Sequence, residues 1–353
     1  MIFSKKINNF RRKITHGLTK NIGRPSAIQK VNLSEKAVIK RILISRPNHR
    51  LGNLLLITPL IQEVQATFPD CKIDLFVKGG LAPIVFKNYK NINLIIELPK
   101  KPFDNLLKYF KVWITIKKQD YDMVINVDKN SSSGRLSVQF SNAKYKFFGD
   151  TSEDLQLQYV DYEHIAKYPI YNFRNFLNQL GFEKKENPIP SIDIKLSPEE
   201  IVEGKKILDA IVPNNKKTIS FFTYATADKC YAVDWWTKFY ERLQQEYQDQ
   251  YNLVEVLPVE NISQVEFKAP TYYSKDVREI ASVIANTELF IGADSGIMHL
   301  ASAGLTPTVG LFSRPNIKKY QPFNNNSIGI NTNSSDMEQW IESINKILPV
   351  GKN

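Results

Sequence analysis

Residues 289–315, LFIGADSGIMHLASAGLTPTVGLFSRP, place three chemically useful residues where an apolar run gives way to a new pattern. The run ends at Asp294, and Ser295-Gly296 opens a predicted helix. Free backbone N–H groups and the positive end of the helix dipole suit a phosphate at such a corner. Gly296 would let a ligand approach the backbone, and Ser295 would cap the helix or donate to a phosphoryl oxygen. Asp294, at the strand end, would accept hydrogen bonds from sugar hydroxyls. The same string also reads as a capped helix after a buried strand. A second loop lies in RILISRPNHRLGNLLLITPLI, residues 41–61, where Arg46, Asn48, His49 and Arg50 follow an apolar run and the loop ends at Asn53.

The elements that must position these loops alternate. Strands are predicted over 41–45, 72–78, 92–98 and 122–127, with helices over 53–68 and 103–118 between them. Pro59 should kink the first of these helices or mark an early turn. A helix over 171–182 ends at Gly181. The stretch EKKENPIPSIDIKLSPEE then reads as a boundary, with Ser197-Pro198 opening the next helix. Beyond it the alternation restarts, with strands over 217–223, 252–258, 289–294 and 306–312. Helices are expected over 235–247, 277–287, about 295–303 and 335–348. The pattern is that of two doubly wound, Rossmann-like parallel sheets facing a central cleft, since ligands of open parallel sheets bind beyond the carboxyl ends of strands.

A chain of 353 residues is long enough for about two domains. Two cysteines, Cys71 and Cys230, form neither a disulfide framework nor a metal-ligand cluster. The charge is uneven. Residues 1–41 carry eleven Lys and Arg side chains against one acid, Glu35, and so hold most of the net +11. That distribution is unlike a basic patch spread over a nucleic-acid-binding fold. Phe3, Ile7, Phe10, Ile14 and Leu18 recur at helical spacing among these basic residues, as in a helix lying on an anionic membrane surface. A mobile basic tail or an ordinary solvated helix would show the same pattern.

Two tempting motifs are set aside. Asp120-Tyr121-Asp122 has the form of a metal-binding Asp-x-Asp, but it fits a helix end and strand start with Tyr121 packed inward. Trp235, Trp236, Phe239 and Tyr240 lie at helical spacing and fit a core better than a sugar platform.

DSGIMHLASAGLTPTVGLF, together with RLGNLLLITPLIQEVQATFPDCKIDLFV, resembles glycosyltransferase family 9, the bacterial lipopolysaccharide heptosyltransferases. A weaker third match is ADKCYAVDWWTKFYERL, where Lys229 and Trp236 fall at the lysine and tryptophan of the family's Lys-Arg-Trp-Pro…Trp pattern. The resemblance spans about residues 41–325. It implies a GT-B fold and metal-independent transfer of a sugar, usually heptose from an ADP-linked donor, with inversion. It assigns the nucleotide-sugar co-substrate to the C-terminal domain and implies no separate cofactor. Asp294 would contact the sugar, Ser295 and Gly296 the diphosphate, and Lys229 the phosphate or sugar; Ser313 would lie nearby and His299 would orient by hydrogen bonding. The departing diphosphate then needs the lysine and the helix-end amides to carry its charge.

Inversion also needs a base for the acceptor hydroxyl. The family's usual base is the aspartate of an Arg-Leu-Gly-Asp motif, and this chain has Asn53 there, after Gly52. An amide can orient a hydroxyl but takes no proton at physiological pH. His49, with an ordinary pKa of about 6.5, and Asp128, after the strand MVINV, are the other candidates, although His49 also fits an exposed loop histidine. FFTYATADK replaces the family's Gly-Ala-Ser-like turn, which leaves Thr223 and Thr226 as the donor-side contacts there.

These readings give a basic leader over 1–40, an acceptor-binding α/β domain over 41–185, a linker over 186–200, and a nucleotide-sugar-binding domain over 201–334. A helix over 335–353 is expected to pack back on the N-terminal domain. Arg46, Arg50, Gly52 and the loop 128–135 would meet an anionic, lipid-linked saccharide, with the leader holding the enzyme at the inner face of the cytoplasmic membrane. The rival expectations are a GT-B binding protein impaired by Asn53 and a sugar-nucleotide epimerase of similar fold.

Overall fold

The computed structural model describes residues 38–100, 106–183 and 185–348, so the expected leader lies outside the described residues except for its last three positions. Contacts divide the chain into two units. Of the described residues, one takes those up to His49, Pro59–Pro83 and Tyr89–Pro190; the other takes Arg50–Thr58, Ile84–Asn88 and those from Ser191.

The first unit is built on β1 (Arg41–Ser45), β2 (Lys72–Lys78), β3 (Ile92–Leu98), β4 (Met123–Asn126) and β5 (Tyr145–Phe147). They form one sheet in the order β3-β2-β1-β4-β5, and every pair is parallel. Ile42, Leu43 and Ile44 of the central strand are fully buried, as expected when helices cover both faces of a parallel sheet. The fully buried Asp74 on β2 receives Arg41 at 2.7 Å and the Tyr121 hydroxyl at 2.9 Å. Burial and that carboxylate raise the Tyr121 pKa. Asp122 accepts the backbone amides of Lys40 and Arg41 at 2.7 and 2.9 Å. The Asp-Tyr-Asp string therefore ties the start of β1 to the start of β4, with Tyr121 packed inward.

The second unit carries β6 (Lys217–Phe222), β7 (Tyr251–Val256), β8 (Thr271–Tyr272), β9 (Leu289–Ala293), β10 (Thr308–Phe312) and β11 (Ile328–Asn331). Their order is β11-β10-β9-β6-β7-β8, again all parallel. A capping box of Ser197 and Glu200 starts the Pro198–Ile211 helix, as the Ser-Pro signal implies. Trp236 and Phe239 are fully buried and pack with Phe221 and Tyr240, so the aromatic spacing on the Val233–Tyr247 helix does mark core.

Three expectations need correction. The helix over 53–68 is two helices, Leu51–Leu55 and Thr58–Thr67, because Pro59 has no N–H for a continuing ladder and the Thr58 hydroxyl instead donates to the Leu55 carbonyl at 2.7 Å. The Leu51–Leu55 helix, and with it Asn53, groups with the second unit rather than the first sheet. The Met337–Asn345 helix groups with the second unit. Its apolar face, Trp340, Ile341 and Ile344, joins the second unit's core, with Trp340 5.3 Å from Trp235 and Glu338 paired to Arg242 at 2.8 Å.

Candidate donor site in the second unit

Strand β9 is buried throughout, and its last turn of chain delivers Asp294 with 7% exposure. The Asp294 amide donates to the Leu311 carbonyl of β10 at 3.0 Å, which fixes the backbone before the helix begins. Ser295 is the extended N-cap of the Gly296–Ala303 helix, and its hydroxyl accepts from the Met298 amide at 3.2 Å. The serine is thus used as a cap. The amides of Gly296 and Ile297 precede the first backbone bond of the helix, which is where an anion is favoured. Gly296 has a different neighbour from the one its type suggests. A side chain there would meet the Leu51 Cβ at 3.5 Å and the Gly52 amide at 3.6 Å, so the glycine faces the Leu51–Leu55 helix in ordinary contact.

Around Asp294 a compact polar cluster forms. Lys229 Nζ, from the short turn Ala227–Lys229, lies 2.7 Å from Asp294 Oδ2, and Asn316 Nδ2 donates to the same oxygen at 3.0 Å. Lys229 also sits over the Tyr320 ring at 5.9 Å, and the His299 ring centre is 6.5 Å from that of Tyr320. His299 is buried. Burial pushes its pKa down to about 4, against an opposing pull from Asp294 and with a smaller push from Lys229, so the imidazole is neutral at physiological pH. Its Nδ1 and the Asn316 Oδ1 have no hydrogen-bond partner among the described residues. Gly52 is required beside it: a Cβ there would stand 2.7 Å from the His299 ring carbon Cδ2. Asn53, the next residue, is half-buried.

The cluster offers one cation, one carboxylate and one neutral imidazole within the reach of a single small ligand. The lysine can neutralise an oxyanion and the carboxylate can accept from hydroxyls; the imidazole can orient either. Lys229, Asp294 and His299 were legible in the sequence. Asn316 and Tyr320 were not singled out, although they follow the carboxyl end of β10, the place where parallel sheets bind ligands.

The other expected residues are placed differently. Thr223 is fully buried and donates to Glu255 Oε1 at 2.6 Å while accepting the Gln264 amide at 3.1 Å. Its hydroxyl is committed inside the protein, to a carboxylate and a backbone amide of the same unit. Glu255 is itself fully buried, takes a second hydroxyl from Ser263 at 2.6 Å, and has its pKa raised by desolvation. Thr226 is exposed in the same loop as Lys229. Ser313 lies after β10, with its carbonyl accepting from Asn333 at 2.8 Å, and its hydroxyl meets that of Tyr231, a phenol pushed up to about 12 by burial.

In the first unit, Arg46 is buried and its guanidinium pairs with Asp128 at 2.5 Å. Asp128 Oδ1 accepts the Asn130 amide at 3.0 Å. Both carboxylate oxygens are thus engaged, and Asp128 helps to hold the 128–135 segment. That segment is no simple loop, because Ser131 caps a helix, Ser132–Phe140, and its Arg135 reaches Asp150 at 2.7 Å. His49 is exposed, as is Arg50.

Known structures share this architecture. A glycosyltransferase family 9 protein from Veillonella parvula aligns with a TM-score of 0.66 at 20% identity, covering 90% of this chain and 93% of the other. Escherichia coli heptosyltransferase WaaC, solved with ADP, aligns at 0.62 and 14% identity over 87% and 100% of the two chains. The two parallel α/β units are those of the GT-B fold.

Residues 274–346, which include the Asp294 corner, match the family model for glycosyltransferase family 9 (heptosyltransferase). Lipopolysaccharide heptosyltransferase 3 of Escherichia coli K12 is 26% identical over 302 residues, or 78% of this chain and 84% of that protein. The lipopolysaccharide core heptosyltransferase OpsX of Haemophilus influenzae is 22% identical over 78% and 80% of the two. The chain is thus similar to glycosyltransferase family 9 across its C-terminal part, and to lipopolysaccharide heptosyltransferases over 78% of its length.

Proposed function

We propose that this enzyme moves a heptose or related sugar from an ADP-linked donor to a lipopolysaccharide-type or other lipid-linked saccharide, with inversion and without a metal ion. The observation that carries this is the Lys229–Asp294 pair at 2.7 Å beside the start of the Gly296–Ala303 helix. When a diphosphate leaves, charge grows on its bridging oxygen, and a lysine with helix-end amides supplies preorganised stabilisation. Asp294 would hold the sugar hydroxyls, and neutral His299 would orient them rather than move protons. The relatives named above act on lipopolysaccharide. By analogy the acceptor is anionic and membrane-borne, with the basic leader keeping the enzyme at the cytoplasmic face.

Asn53 favours a second reading, a GT-B protein that binds nucleotide sugar but turns over slowly or not at all, since the family's usual base is an aspartate at this position. With Asp128 engaged by Arg46, His49 is the remaining base candidate from the sequence. Mass-detected transfer from ADP-heptose to a heptose-deficient lipopolysaccharide core, by wild type and Asn53→Asp, separates the readings. Turnover by wild type supports the enzyme; turnover by the variant alone supports the impaired binding protein; donor binding by neither would defeat both.

A further inference from the structure

The Leu106–Lys118 helix of the first unit, LLKYFKVWITIKK, has two apolar faces. Val112 and Ile116 are buried and belong to the core around Phe76 and Val124. On the opposite face Leu107, Phe110 and Ile114 are 86%, 59% and 53% exposed. A surface helix packed on a sheet normally presents polar side chains outward, and a contiguous exposed apolar patch marks a contact surface. This patch extends beyond one helix. The half-buried Trp113 lies 5.8 Å from Phe140, which ends the Ser132–Phe140 helix and is 51% exposed.

Lysines surround the patch. Lys108, Lys111, Lys117 and Lys118 share the helix with the apolar residues, and Lys144 and Lys146 flank it from β5 and the turn before it. All six are exposed. Lys117 reaches Asn142 at 2.5 Å and Lys146 reaches the Gln139 carbonyl at 3.3 Å, which draws these two ammonium groups into the same neighbourhood as Phe140. Neither helix nor β5 contains an acid.

This composition selects the occupant. Protein interfaces are depleted in lysine at their centres. A second copy meeting the same patch across a two-fold axis would set lysines against lysines, which is repulsive. A bilayer with anionic headgroups accepts both components: apolar side chains enter the acyl boundary while ammonium groups stay at the phosphates. We infer that the Leu106–Lys118 helix, with Phe140 and the surrounding lysines, is a docking face for an anionic phospholipid membrane. This face is distinct from the basic leader, and it requires neither donor nor acceptor.

The test is sedimentation of the full chain with vesicles of phosphatidylglycerol and phosphatidylcholine, or of phosphatidylcholine alone. Wild type should bind the anionic vesicles and lose binding in high salt. The double variant Phe110→Asp/Ile114→Asp, with the leader intact, should bind at least tenfold more weakly and unfold at the wild-type temperature. A charge-reversal variant, Lys111→Glu/Lys118→Glu, guards against misfolding of the first and should also lose at least tenfold. Binding within twofold of wild type in both folded variants would overturn the inference. So would light scattering that shows a wild-type dimer which these variants dissociate, because the face would then belong to a second copy.

Discussion

Lys229 Nζ and Asn316 Nδ2 share one oxygen of Asp294, at 2.7 and 3.0 Å, and the same Nζ lies over the Tyr320 ring at 5.9 Å. The carboxylate is almost fully buried and the lysine is 31% exposed, so the pair is screened on one side only. Lys229→Met should therefore cost about 1–2 kcal/mol, less than a fully buried pair. It should also lower kcat/KM for sugar transfer by on the order of a hundredfold. Thermal unfolding and steady-state kinetics check the two halves, and a variant with wild-type transfer would remove the lysine from the mechanism.

His299 carries a pH prediction. Its pKa is pushed down to about 4 in the folded protein from an ordinary value of about 6.5. A lowered value means that the unfolded chain takes the proton first. The stability this group confers is complete above pH 6.5 and falls as pH drops toward 4, by on the order of 3 kcal/mol. Denaturant titration from pH 7 to 4 should show this slope in wild type and a shallower one in His299→Gln. The pH–rate profile should show no limb above pH 5 that His299→Gln abolishes.

Thr223 separates two roles by stability alone. Its hydroxyl joins Glu255 to the Gln264 amide, and Ser263 joins the same carboxylate to the amides of Val265 and Phe267 at 3.1 and 3.0 Å. Thr223→Val should leave a buried amide and a carboxylate oxygen without their bonds, at a cost of about 1–3 kcal/mol. Unchanged stability with weakened donor binding would make Thr223 a ligand contact instead.

Gly52 tests the fit between the Leu51–Leu55 helix and His299. With only 2.7 Å between a new Cβ and the imidazole, Gly52→Ala should displace the ring or the helix, at a cost of about 1–3 kcal/mol. A crystal structure of the variant should show the shift, and donor binding should weaken with it.

Arg278 and Glu200 set the acid stability of the second unit. Arg278 is buried, pairs with both Glu200 oxygens at 2.6 and 2.7 Å, and donates to the carbonyls of Ile84, Ile194 and Lys195. The guanidinium holds the Glu200 pKa down to about 2. A lowered carboxyl value stabilises the fold above its ordinary pKa of about 4.3, and that contribution is lost as pH falls toward 2. Arg278→Met should cost about 3–5 kcal/mol and flatten this acid limb.

Much of the architecture was legible because parallel strands covered on both faces are nearly continuous apolar runs, as in RILIS and LFIGA. The short strands β5, β8 and β11, of three, two and four residues, carry too few side chains for a period to show. The Ser132–Phe140 helix was hidden in a serine-rich string that reads as loop until Ser131 is seen to cap it. Asp294 and His299 were found because a motif marks them. Asn316 and Tyr320 belong to a segment whose only signal is its position after a strand.

The order of residues alone determined the alternating strands and helices, the Asp-Ser-Gly corner and the family resemblance, since each depends on neighbours a few positions apart. Tertiary structure decided the partnerships. It set Lys229 and Asn316 on Asp294 across 65 and 22 positions, and brought Gly52 against His299. It also committed Thr223 to a buried carboxylate and left one helix apolar on its outer face. Such contacts join segments distant in the chain, and no local period or propensity records which buried polar group will find which partner.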